Sequence, residues 1–210
     1  TDTDGVPYTG DVIVFTGNTT GTFNSKDVGS ANLVTFGGLA SSNNNYTLTL
    51  GTQAATITAK TVLVNGFSAP SSRVYDGTQG AVVSGTPSLI TAQSAGTGTD
   101  TDRTPYVGDV IGFNGTASGA YNTKDVSTAN AITFGGLTSS NSNYTLAFGT
   151  QAGSITPKTL TVSGLSVTSS REYNAGLAAT VTGSPALLGS EAAGTGSTND
   201  GKPYGSDTIG

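Results

Sequence analysis

The sequence predicts an all-β fold, and three observations predict it. Hydrophobic residues make up 34% of the chain and charged residues only 10%, while 31 glycines accompany abundant Thr, Ser and Asn, poor material for helices and good material for turns and solvated strand faces. Apolar residues alternate with polar ones over short runs, the period of two that marks a half-buried strand. Clusters of Gly, Asn and Ser punctuate these runs at the spacing of short sandwich strands. Disordered chains are usually highly charged and lack regularly placed β-branched and aromatic residues, so order is expected.

Along the chain, the first strands place Val34 and Phe36 on one face, then Tyr46, Leu48 and Leu50. The run after Lys60 buries Val62 and Val64, and residues 109 to 113 contribute Ile111 and Phe113. Ile132 and Phe134 flank Thr133; Tyr144, Leu146 and Phe148 share a face that Thr145 and Ala147 do not. Ile155 marks a strand at 152 to 156, and Leu160 and Val162 alternate with Thr159, Thr161 and Ser163. About seven strands per unit are compatible with an immunoglobulin-like sandwich. In that fold a Tyr opening a late strand sends its hydroxyl to the backbone of the preceding corner, and Tyr46 and Tyr144 are placed to do so.

The chain repeats itself. Lys60-Thr61 returns as Lys158-Thr159, Pro7-Tyr8 as Pro105-Tyr106 and Pro203-Tyr204, and Lys26-Asp27-Val28 as Lys124-Asp125-Val126, each 98 residues on and without a gap. A solenoid repeats every coil, at roughly 20 to 30 residues, whereas about 100 residues suffice for a sandwich to close its own core. Tandem immunoglobulin-like β-sandwich repeats in an elongated row are therefore expected. A unit start near Lys60, where Lys and in one copy Pro157 make a short stiff connector, divides the chain into 1–58, the C-terminal part of a unit, 59–156, a complete unit, and 157–210, the N-terminal part of the next. The alternative phase gives 1–98, 99–196 and 197–210. The chain reads as an interior piece of something longer.

Charge and chemistry narrow the function. A net charge of −5 and scattered Lys and Arg leave no basic stripe for phosphates, so nucleic acid is not an expected partner. No apolar run approaches the roughly 20 residues of a spanning helix, so membrane insertion is not expected. Without Cys or His the commonest general base and the usual zinc ligands are missing, and no nucleophile and base pair stands out. An enzyme is not expected. The Asp-x-Asp-Gly run at residues 2 to 5 resembles the opening of a calcium loop, although its counterparts lose one Asp or the Gly. Asp2, Asp4, Asp11, Asp100, Asp102 and Asp109 are the candidate ligands for a structural calcium, against a solvated acidic loop; no other cofactor is expected. Arg73, Tyr75, Asp76 and Gly77 look like a site, but the second copy keeps only Arg171 and Tyr173, with Asn174 and Ala175 following. A general acid or base does not survive conversion to an amide, so the expected role is a core Tyr and a tight turn. Lys26-Asp27 and Lys124-Asp125 read either as exposed ion pairs or as markers of a strand end.

The order "KTVLVNGFSAPSSRVYDGT", "KDV", "GGLTSSNSNYTL", "ITPKTL" resembles the YDG-type repeat found in tandem in very large bacterial surface adhesins similar to filamentous haemagglutinins. The resemblance implies an immunoglobulin-like sandwich in an extracellular stalk at the bacterial cell surface, with no catalytic residues. The expected function is a structural spacer that projects a distal binding domain, whose ligand this segment does not specify. Neighbouring repeats of the same chain are the expected partners, with homotypic contacts between chains. The alternative is a repeated binding module giving avidity for glycan, ice or another cell's array.

Overall fold

The computed structural model describes residues 4–209; Asp2 lies outside them. All of its regular elements are strands, which is the expected all-β class. Two compact units are formed from interleaved stretches: 1–62, 91–113 and 139–146 in one, and 63–90, 114–138 and 147–210 in the other.

In the first unit β1 (Phe15–Phe23) and β2 (Leu33–Ser41) form an antiparallel hairpin, and β3 (Thr52–Ala54) extends it along β2. Phe23 pairs with Val34 and Gly21 with Phe36. Every residue of β1 is exposed. The strand expected at 46 to 50 is not one: half-buried Tyr46, Leu48 and Leu50 alternate with exposed Thr47 and Thr49, yet the segment joins no sheet among the described residues. Residues 109 to 112 also stay outside the ladders, held by Ser140, whose hydroxyl accepts from the Gly112 N–H (2.8 Å) and whose N–H donates to the Gly112 carbonyl (2.9 Å).

Between Lys60 and Thr156 nine short strands stand where about seven were expected. They are β4 (Lys60–Ser68), β5 (Ser72–Val74), β6 (Gly80–Ala81), β7 (Ser84–Leu89), β8 (Phe113–Tyr121), β9 (Ala131–Ser139), β10 (Tyr144–Phe148), β11 (Thr150–Ala152) and β12 (Ser154–Thr156). One sheet runs β10-β4-β7 and another β11-β9-β8-β6, while β12 pairs with β5 in parallel, Ile155 beside Arg73. A last hairpin joins β13 (Val162–Val167) to β14 (Val181–Leu187).

The second unit holds a core of Tyr121, Ala129, Ile132, Phe134 and Ile155, with Phe67, Tyr75, Val83 and Phe148 packed against it. Ile132 is 0% exposed and Ile155 2%, and burying each contributes about 1.5–3 kcal/mol. The Phe67 ring lies 5.9 Å from Phe134 and 6.4 Å from Phe148. Alternation located Ile132, Phe134, Ile155 and Phe148; it did not single out Ala129, Phe67 or Val83.

One use of glycine was not expected. Gly66 and Gly85 face each other inside the β4–β7 ladder at φ +89° and +97°, where the register shifts between Asn65 and Phe67. A Cβ on Gly66 would stand 2.1 Å from the Thr86 carbonyl oxygen and one on Gly85 2.0 Å from that of Gly66, so only Gly permits this bulge. Gly17 with Gly38, and Gly164 with Gly183, repeat the arrangement in their own hairpins.

Candidate functional site

Lys60 and Lys158, one period apart in sequence, are held alike. The Lys60 ammonium donates to Asp102 Oδ1 (2.8 Å) and to the Thr99 carbonyl (2.9 Å), and sits 4.4 Å from the centre of the Tyr106 ring. Asp102 also accepts from Gln93 Nε2 (2.8 Å) and from the N–H groups of Thr99 and Thr104 (2.9 Å each). The Lys158 ammonium, its side chain 3% exposed, donates to Glu191 Oε1 (2.6 Å) and Asp200 Oδ1 (2.9 Å), 4.2 Å from the centre of the Tyr204 ring. Glu191 stands where the first copy has Gln93. Burial works against both ammonium charges, yet hydrogen bonds to the carboxylates and tyrosines outweigh it and raise both pKa values. The Lys60 bond, with the Thr104 N–H, holds Asp102 well below the usual carboxylate range; the Lys202 N–H and then Lys158 do the same for Asp200. Such charge-assisted bonds over an aromatic face are strong and directional.

A second recurring device is a tyrosine latch. The Tyr144 hydroxyl donates to Asp109 Oδ2 (2.6 Å) and accepts from the Tyr106 N–H (3.1 Å). Burial and then the bond to Asp109 push its pKa up to about 12. Tyr46 repeats this on a more exposed site, donating to Asp11 and accepting from the Tyr8 N–H (2.9 Å). The expected tyrosine corner is thus corrected: each hydroxyl reaches backbone 38 residues upstream, drawn there by a carboxylate that the immunoglobulin comparison did not anticipate.

The remaining motifs make the longest contacts. Asn143 donates its side-chain amide to Asp27 Oδ1 (2.8 Å) and accepts from the Val28 N–H (2.8 Å), across 116 and 115 residues. The Tyr75 hydroxyl donates to Asp207 Oδ1 (2.9 Å), 132 residues away, accepts from the Lys124 ammonium (3.2 Å), and its ring meets that of Tyr204 edge-on at 5.7 Å. The expected turn is present: the Thr78 N–H donates to Asp76 Oδ1 (2.8 Å), Asp76 pairs with Arg73, and Gly77 has φ +78°. It does more than turn. The Gly194 N–H donates to the Asp76 carbonyl (2.8 Å), and a Cβ on Gly77 would stand 2.7 Å from that of Ala193.

The calcium candidates are dispersed among these contacts. Asp4 accepts from the Val6 N–H (3.0 Å), Asp100 is exposed, Asp102 belongs to Lys60, and Asp11 and Asp109 receive tyrosines. Among the described residues no three His, Cys, Asp or Glu side chains gather into an ion-holding group. Sequence reasoning missed the lysine clusters and the role of Asn143. The available signal was the shared spacing from Lys60 to Asp102 and from Lys158 to Asp200. Comparison with family models, with curated proteins and with solved structures returns no match.

Proposed function

We propose that the chain is a structural stalk segment of an extracellular bacterial adhesin, built of tandem immunoglobulin-like sandwiches of the YDG type, which carries a distal binding domain away from the cell surface. One observation carries the reading: the residues most suggestive of chemistry are spent on contacts longer than the 98-residue period, Tyr75 to Asp207 and Asn143 to Asp27. With units starting near Lys60, both ties join one repeat to the next. Lysines clamped on tyrosine rings and tyrosines latched to aspartates resist extension without turning over any substrate. Calcium on the Asp-rich loops would add stiffness.

Small-angle scattering of the fragment in calcium and in chelator tests the reading. An elongated particle is expected, and a compact globular profile would overturn it; loss of extension in chelator would assign the stiffness to the metal. Specific retention by a glycan array or by ice would instead favour the repeated binding module.

A further inference from the structure

The two lysine clusters are copies of one arrangement that differ in one acid. In both, a lysine ammonium lies over a tyrosine ring and meets an aspartate, Asp102 in the first and Asp200 in the second. The first cluster has Gln93 where the second has Glu191, each 33 residues beyond its lysine. The Gln93 amide donates to Asp102 Oδ2 (2.8 Å), whereas the Glu191 carboxylate accepts from the Lys158 ammonium (2.6 Å). Lys158 is thus a nearly buried amine wedged between two carboxyl groups.

Backbone contacts hold all three groups in place. The Glu191 N–H donates to the Pro203 carbonyl (2.9 Å), and its carbonyl accepts from the Gly205 N–H (2.9 Å). Glu191 Oε2 lies 1.8 Å from where a Cβ on Gly196 would stand, so the carboxyl rests on bare backbone. Asp200 Oδ1 accepts from the Lys202 N–H (3.0 Å) and Oδ2 from the Ser197 N–H (3.3 Å). Just beyond Lys158, the Thr161 N–H donates to the Gly201 carbonyl (2.9 Å), which keeps the lysine segment against the Asp200 loop. The Glu191 and Asp200 side chains are 12% and 21% exposed, so little water competes for the lysine.

We propose that Lys158 and Asp200 join through an intramolecular amide bond, with Glu191 as the proton carrier. Glu191 takes a proton from the ammonium, and the freed lone pair on Nζ attacks Asp200 Cγ. The N–H groups of Lys202 and Ser197 face the oxygens on which negative charge collects. The Nζ–Cγ bond forms, one Cγ–O bond breaks, and that oxygen leaves as water with two of the three ammonium protons, handed over by Glu191. One ammonium and one carboxylate become one amide and one water, Glu191 ends as it began, and no co-reactant is consumed. Burial is the largest influence on the Lys158 charge and opposes it; the hydrogen bonds that outweigh it keep the proton in the cluster, with Glu191 the nearest acceptor. Amide formation from separate amine and acid is unfavourable in water, but holding the two in contact supplies an effective concentration on the order of 10⁵ M or more. Lys60 has the aspartate but Gln93 in place of the second carboxylate, so it remains an ion pair.

Intact mass of the denatured full chain, followed by a tryptic map, tests it. Expected is a chain one water lighter than its sequence, with Lys158 uncut and residues 125–171 joined to residues 172–210. Glu191→Gln copies the first cluster, which folds with Gln93, and should restore the full mass; Asp200→Ala should do the same. Gln93→Glu should remove a second water by joining Lys60 to Asp102. A wild-type chain at full mass, a water lost elsewhere than between those two peptides, or a Glu191→Gln chain still one water lighter overturns the assignment. The bond does not depend on the stalk reading, which scattering tests whatever the mass.

Discussion

Hairpins β1–β2 and β8–β9 are repeat counterparts, sharing three of nine residues in the first strand and six of nine in the second, with opposite fates. In β8–β9, Tyr121, Ile132 and Phe134 are 3%, 0% and 8% exposed; in β1–β2 their counterparts Phe23 and Phe36 are 39% and 43% exposed and Val34 is half-buried. Backbone pairing is therefore local to each hairpin, but burial is not. Phe67, Tyr75, Val83 and Phe148 come from distant parts of the period to cover β8–β9, and no such set covers β1–β2 among the described residues. A sequence pattern specifies which face a residue takes, and only the arrival of remote partners removes that face from water.

The sharpest way to break the comparison is to truncate both sides of it. Ile132→Ala should cost about 3 kcal/mol in chemical denaturation, by lost transfer energy plus the cavity left behind, while Val34→Ala should cost under about 1 kcal/mol. Equal losses would mean that β1–β2 packs as tightly as β8–β9. Next comes the backbone: Gly66→Ala forces a Cβ against the Thr86 carbonyl at φ +89°, for an expected loss of about 2 kcal/mol.

What sequence reasoning could see follows the same division. Alternation pointed to Val62, Val64, Ile132, Phe134, Tyr144 and Ile155, all now buried, because period-two patterning is written in adjacent residues. Val162 has the pattern of Val64 but is 55% exposed among the described residues. Gly66 and Gly85 were not singled out, because a facing pair inside a ladder is visible only once register is known. Asp102 was named from its immediate neighbours, which do not reveal its partner Lys60 at the start of β4. Tyr75 was expected in the core and does pack there, but its hydroxyl goes to a carboxylate 132 residues on, beyond any local pattern.

The two tyrosine latches extend the comparison to polar groups. Tyr144→Phe leaves the Tyr106 N–H and Asp109 without their partner, for an expected loss of about 1 kcal/mol; the same change at the more exposed Tyr46 should cost less. Because folding raises the Tyr144 pKa from 10.0 to about 12, its contribution is full below pH 10 and is lost as pH rises through about 12. Alkaline melts should show that limb in the wild type and a flatter one in the variant. Asp102 works in the opposite direction. Its folded pKa lies below 3.8, so its contribution is full above that value and is lost as pH falls. Asp102→Asn should therefore flatten the acid limb of the stability curve.

The smallest effect belongs to the two Lys-Asp-Val loops, where identical sequence again meets different company. The Lys26 side chain is 79% exposed and pairs with adjacent Asp27 at 3.2 Å, a contact that water and salt largely cancel. Lys124 is 41% exposed and reaches Asp125 (3.0 Å), Asp207 (3.6 Å) and the Tyr75 hydroxyl (3.2 Å); the bonds to Asp125 and then to Tyr75 raise its pKa. Lys26→Ala should leave the melting temperature unchanged at any salt concentration. Lys124→Ala should lower it slightly in dilute buffer, and the difference should vanish in about 1 M salt, where the screening length falls to roughly 3 Å. If Lys26→Ala produced the larger, salt-dependent loss, Asp207 and Tyr75 would contribute nothing to holding Lys124, and the Lys-Asp-Val loop would be solvent decoration in both copies.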